Sequence, residues 1–195
     1  MSALDPAALA RLFTEARTFT HWQRRPVPDG LIEEACALAQ FGPTSGNCEP
    51  MRLVLVKSAA GKARLLPCVS SGNAEKVRAA PVTAIVAFDR EFYDYLPRLY
   101  PHSDARAWFT SNDALARETA FRNSSLQGAY LILALRALGL DCGPMSGFDN
   151  AKVDAEFFAD GRWRSNFLLN IGYGERPHPY PRPPRLDFAE IARWA

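Results

Sequence analysis

The sequence predicts an α+β fold in which helices pack on a small central sheet. Three observations predict it. Apolar runs of strand length, Arg52–Lys57, Val82–Phe88 and Asn166–Tyr173, alternate with segments of helical spacing. One segment, Asp113–Leu138, is long enough to form a central helix. No internal repeat or linker divides the chain, whose 195 residues suffice for one domain with a sizeable core.

In chain order, Asp5-Pro6 joins an N-cap to a proline at the first helical position. The helix is expected to run to about Glu15, with Leu9, Leu12 and Phe13 on one face. Arg24–Pro28 is a polar, proline-marked connection. A second helix covers Gly30–Gln40, where Leu31, Ala35, Leu38 and Ala39 recur at helical spacing, and Phe41-Gly42-Pro43 ends it. Gly42–Pro50 is a loop of small and polar residues. Arg52–Lys57 reads as a buried strand. Ser58 caps a short helix to about Leu66, and Asn73–Ala79 forms another. Pro81 leads into the Val- and Ile-rich strand Val82–Phe88. Asp89–Ser111 is the least regular region and is dense in rings: Phe92, Tyr93, Tyr95, Tyr100, Trp108 and Phe109. Gly139 caps the central helix, Gly143–Gly147 forms a turn, and Asp149 caps a helix from Asn150. The tail Pro177–Arg185 holds five prolines and is expected to be extended, wrapped over a partner subunit. Asp187 and Glu190 make a capping box for a last short helix.

Composition narrows the function. Apolar residues make up 48% and charged residues 23%, ordinary values for a soluble globular domain. A net charge of +2 gives no argument for nucleic acid or an anionic membrane as partner. Cys36, Cys48, Cys68 and Cys142 form no CxxC and no clustered ligand set, so reduced thiols in a cytoplasmic protein are expected. The N-terminus lacks the basic and apolar stretches of a signal peptide. The most apolar segment, Ala129–Leu140, is too short to span a bilayer. There is no GxxxxGK[ST], no GxSxG and no HExxH. Gly172-Tyr173-Gly174 follows a strand but has neither a third glycine nor a helix after it, which argues against a dinucleotide-binding turn. His21, His102 and His178 are far apart, so no metal site is expected. What remains is a set of arginines, amides and small loop residues. Such a set suits an organic cofactor that carries the hard chemistry.

Five segments, in order, resemble the FMN-dependent nitroreductase family. The first is Arg17-Thr18-Phe19-Thr20-His21-Trp22, similar to the family's phosphate-holding Arg-Arg-Ser-x-Arg-x-Phe; Ala16 and Thr20 depart from it. The second is Pro43-Thr44-Ser45-Gly46-Asn47-Cys48-Glu49-Pro50, similar to a loop that reaches the flavin of the neighbouring subunit, with Glu49 where glutamine is usual. The third is Asn73-Ala74-Glu75-Lys76, whose amide and ammonium suit the pyrimidine edge and the charge that gathers near N1 and O2. The fourth, Leu138–Asp149 with Pro144-Met145-Ser146-Gly147-Phe148, resembles the turn whose backbone N–H donates to flavin N5; counting back from it, Asn123 falls at a flavin-contacting amide. The fifth is Pro181–Arg185, where Arg182 and Arg185 match a late basic pair on the phosphate.

The resemblance implies a nitroreductase-like fold with a small mixed or antiparallel sheet, built as an intertwined homodimer. It implies FMN as cofactor, NADH or NADPH as reductant, and a small-molecule acceptor in a two-step exchange. Within the family, Arg17–Thr20, Ala120–Ser125 and Gly161–Phe167 are worded like the RutE/HadB branch. That branch implies reduction of malonic semialdehyde to 3-hydroxypropionate in pyrimidine degradation. A general nitroreductase or quinone reductase is the alternative within enzymology, and a non-catalytic flavin carrier the alternative outside it. The aromatic stretch Phe92–Phe109 is a candidate lid over the substrate, or a surface loop packed by its own rings. Arg106 within it is a candidate for binding a substrate carboxylate. No residue is required as a nucleophile.

Overall fold

The computed structural model describes residues 2–195. Asp5 caps α1 (Pro6–Leu9) by accepting from the Ala8 N–H at 2.8 Å. The expected continuous helix instead widens into a π turn over Ala10–Thr14. α2 spans Asp29–Ala39. β1 (Met51–Val56) leads to α3 (Ala59–Leu65), which Ser58 caps by accepting from the Gly61 N–H. α4 (Ser71–Ala79) starts two residues ahead of the expected Asn73, and β2 (Val82–Asp89) follows. The aromatic stretch is more regular than expected: a 3₁₀ turn at Phe92–Tyr95, α5 (Leu96–Leu99) and α6 (Ala107–Thr110). The central helix α7 is Asp113–Ala137, and Gly139 closes it at φ +87°, a conformation that favours glycine. Asp149 caps α8 (Asn150–Phe157), β4 spans Trp163–Gly172, and α9 (Phe188–Ile191) carries the expected capping box.

Three strands were expected; the sheet has four among the described residues. The additional β3 (Asp141–Met145) runs into what reads as a turn, because Asp141–Met145 pair with Leu168–Gly172 of β4. Nothing in Asp-Cys-Gly-Pro-Met favours a strand; the ladder is imposed by its neighbour. Pro144 fits there because β3 is an edge strand. The order is β1-β2-β4-β3, with every pair antiparallel.

Alternation along β2 divides the core. Val82, Ala84 and Val86 face Ile32, Ala35, Leu131 and Leu135 of α2 and α7. Ile85 and Ala87 face Leu65, Val77 and Val153 of α3, α4 and α8. β2 is buried at all eight positions, and helices therefore cover both faces. β1 departs from expectation: it lies at the other edge, and Leu55 is 44% exposed in the single chain.

Candidate functional site

Four of the five sequence segments meet along the β3 edge. The Phe19 N–H donates to the Cys142 carbonyl at 3.0 Å, and Thr18 makes a parallel bridge with Cys142. Segment one thus lies against segment four. The tail crosses segment one in turn. Arg17 Nη2 donates to the carbonyls of Tyr180 and Pro181 at 2.8 and 3.1 Å. Arg182 Nη2 donates back to those of Thr14 and Ala16 at 2.7 and 2.8 Å. Each guanidinium spends one nitrogen on this exchange and keeps Nε and Nη1 for another acceptor. Arg185 is not drawn in: its Nη1 donates to the carbonyls of Pro183 and Pro184 on its own tail.

Segment three joins at Gly147. Asn73 Nδ2 donates to the Gly147 carbonyl at 3.2 Å, while Asn73 Oδ1 accepts from Lys76 Nζ at 2.8 Å. Ser70, which the motif reading missed, adds two more donors to the same carbonyl. Its N–H lies at 3.0 Å and its hydroxyl at 2.7 Å. A Cβ at Gly147 would lie 2.8 Å from Ser70 Oγ and closer still to Asn73 Nδ2. This explains glycine there without any appeal to φ. The Gly147 N–H meets no acceptor among the described residues. Pro144 and Ser146 are exposed and Met145 is half-buried.

Segment two is elsewhere in the chain. Asn123 of α7, 3% exposed, accepts from the Ser45 N–H at 2.9 Å through Oδ1 and donates to the Thr119 carbonyl through Nδ2. One turn on, Gln127 accepts from the Met51 N–H at 2.9 Å. Two amides spaced i, i+4 therefore pin both ends of the loop to α7. Between them Gly46, Asn47 and Glu49 hold φ of 56°, 51° and 39°, a costly backbone for the two non-glycine residues. Pro43, Ser45 and Asn47 are exposed and Thr44 is half-buried. Asn123 acts here as a brace for the loop. The only notice the sequence offered of Gln127 was its helical spacing from Asn123.

The aromatic stretch packs beside this loop. Phe92, Leu96, Phe109, Ala116, Ala120 and Cys48 form one buried cluster, and Asn47 Nδ2 donates to the Leu99 carbonyl. Its root is Asp89, fully buried, which accepts from Arg52 Nη2 at 2.9 Å and Arg162 Nε at 3.0 Å. That hydrogen bond raises the pKa of Arg162 above its ordinary value. Arg106 is engaged with Asp94, at 3.2 Å from Nη2, on the same stretch.

The charges along the β3 edge are unevenly paired. Among the described residues, none of Arg17, Lys76, Arg182 and Arg185 has a carboxylate in ion-pair range, whereas Arg52, Arg64, Arg162 and Arg176 each do. Cations left without counter-charges, beside a tight glycine turn with a free N–H, have the chemistry to hold a phosphate ester at one end and a polar ring edge at the other. No cluster of His, Cys, Asp and Glu among the described residues is arranged to hold a metal.

Residues 15–173 match the sequence profile described as "Nitroreductase family". The chain belongs to the Nitroreductase family. A Burkholderia lata protein, provisionally named NADH dehydrogenase/NAD(P)H nitroreductase, is 60% identical over 193 residues, covering 99% of both chains. Among solved nitroreductase folds, YdfN of Bacillus subtilis superposes with a TM-score of 0.87 at 20% identity, covering 98% of this chain and 100% of that one. A nitroreductase-like protein of Exiguobacterium sibiricum, solved in complex with FMN, superposes with a TM-score of 0.84 at 20% identity, covering 100% and 99%. These likenesses agree with the antiparallel sheet between helical layers described above.

Proposed function

We propose that this nitroreductase-family chain is an FMN-dependent oxidoreductase driven by NADH or NADPH, acting as a homodimer. The observation that carries the reading is the convergence of Arg17, Thr18, Lys76, Arg182 and the Pro144–Gly147 turn, far apart in sequence, on one edge without balancing carboxylates. The names of the B. lata relative and of the FMN complex support it.

Arg17, Thr18 and Arg182 would hold the phosphate, with Arg185 joining from the tail. Lys76, held by Asn73, would place positive charge at the pyrimidine edge. The Gly147 N–H, on a turn fixed by three donors to its carbonyl, would face the ring's redox centre. When bound, FMN supplies a ring that takes hydride from the nicotinamide and passes it to the acceptor. The chain's part is to bind, orient and exclude water.

Two features support a second copy. The Pro43–Asn47 loop with its brace Asn123 lies apart from the β3-edge residues within one chain. Beside it, Phe41, Leu126 and Tyr130 are 87%, 46% and 41% exposed. Placing the loop of one copy on the flavin of the other would complete the site and cover these groups.

For the acceptor, the RutE/HadB-like wording supports malonic semialdehyde, with Arg106 as carboxylate ligand once released from Asp94. The relative's name favours a general nitroreductase. Side-by-side kcat/KM values for malonic semialdehyde and a nitroaromatic decide between them. The Arg106→Ala variant should raise KM for the acidic aldehyde and not for a neutral quinone.

The purified protein should be yellow, bleach anaerobically on NADH or NADPH, and sediment as a dimer. Colourless protein that takes up no added FMN overturns the reading. Bound flavin that resists bleaching leaves a flavin carrier.

A further inference from the structure

We infer that His178 is a positioning residue that closes the C-terminal tail over the phosphate end of the site and makes it selective for a phosphorylated flavin. The inference rests on the FMN reading above and extends it to a residue outside the five motif segments.

His178 is half-buried where the tail crosses segment one. Its Nε2 lies 3.1 Å from the Thr18 carbonyl, which can only accept, so Nε2 carries a proton. Its Nδ1 meets the backbone of Tyr180, 3.1 Å from the carbonyl and 3.3 Å from the N–H, as a donor to the first or an acceptor from the second. The ring stands edge-on to Phe19, with centroids 5.4 Å apart. One imidazole thus ties the backbone of segment one to the tail backbone immediately before Pro181-Arg182.

The arginine exchange depends on that tie. Arg17 reaches the Tyr180 and Pro181 carbonyls and Arg182 reaches those of Thr14 and Ala16 only while the tail lies in this register. The four bonds involve exposed groups on a proline-rich segment with little buried area of its own. Such a segment opens readily unless anchored. With His178 in place, two guanidinium groups 165 positions apart in sequence face one small region, both with N–H groups to spare. Without it, Arg182 leaves with the tail and Arg17 loses its own orienting carbonyls. An anion there loses two oriented forks, while a ligand that touches only the Lys76 and Gly147 end loses nothing.

The test is the affinity of the apoprotein for FMN and for riboflavin, which lacks the phosphate, read by quenching of flavin fluorescence. The His178→Ala variant should bind FMN about tenfold or more weakly and riboflavin as the wild type does. The His178→Gln variant keeps a donor for the Thr18 carbonyl and should recover part of the FMN affinity. Without any flavin, hydrogen exchange of residues 179–182 should be several-fold faster in His178→Ala. Unchanged FMN affinity in His178→Ala overturns the inference, as does equal weakening for FMN and riboflavin. Wild-type protein that binds neither flavin overturns the FMN reading itself.

Discussion

At Gly147 one carbonyl receives three donors, and the space a methyl group would need is filled by the side chains of Ser70 and Asn73. Ser70→Ala removes one hydrogen bond and should cost about 1 kcal/mol. Gly147→Ala displaces both partners and should cost about 2–3 kcal/mol. Urea unfolding measures both, and equal costs would contradict the crowding argument. A second residue-scale effect concerns Cys142, whose burial pushes its thiol from 9.0 up to about 12. The unfolded chain releases that proton near pH 9 while the folded chain holds it. The contribution is therefore complete below pH 9 and is lost as pH rises toward 12, at about 1.4 kcal/mol per pH unit. Between pH 8.5 and 10.5 the wild type should lose more unfolding free energy than Cys142→Ala. Parallel profiles would exclude the thiol as the cause.

Among the elements, the end of β2 organises the aromatic stretch. Asp89 takes Arg52 and Arg162 on its two oxygens and the Glu91 N–H as well, and both guanidinium groups lie over the Tyr95 ring at 5.0 and 5.7 Å. Asp89→Asn leaves two cations facing a neutral amide and should destabilise the chain by roughly 3 kcal/mol. Residues 92–109 should then exchange amide hydrogens faster than the sheet does. Exchange that rises uniformly would mean that this pair holds the whole fold and not the stretch. The rings of the stretch are largely internal: Phe92 and Leu96 are nearly inaccessible, and Trp108 stays half-exposed. A movement over the substrate would thus begin from a packed element and not from a loose loop.

For the molecule as a whole, the sheet and its two helical layers bring the chain ends together at one sheet edge and leave the Pro43–Asn47 loop apart from them. The proposed partner copy would reconcile the two groups, and Leu126 and Tyr130, one turn apart on α7, would offer it an apolar face. Leu126→Glu should shift sedimentation toward the single subunit and lower the flavin content together with it. Loss of dimer with full flavin retention would place the whole flavin site within one chain.

Read alone, the sequence determined the elements whose signals are local. The caps at Asp5, Ser58, Asp149 and Asp187, the length of α7 and the buried run of β2 each rest on residues within a few positions of one another. Its resemblance to the nitroreductase family also pointed to Arg17, Asn73, Lys76, Gly147 and Arg182 before any contact was known. Only the tertiary structure decided what depends on partners distant along the chain. β3 is a strand because β4 offers it a ladder, and Ser70 matters because Gly147 comes to lie beside it. Asn123 became a loop brace and His178 a tie across 160 residues for the same reason. Local preference is written in neighbouring residues; the direction a side chain's hydrogen bonds take is set only when the chain has closed on itself.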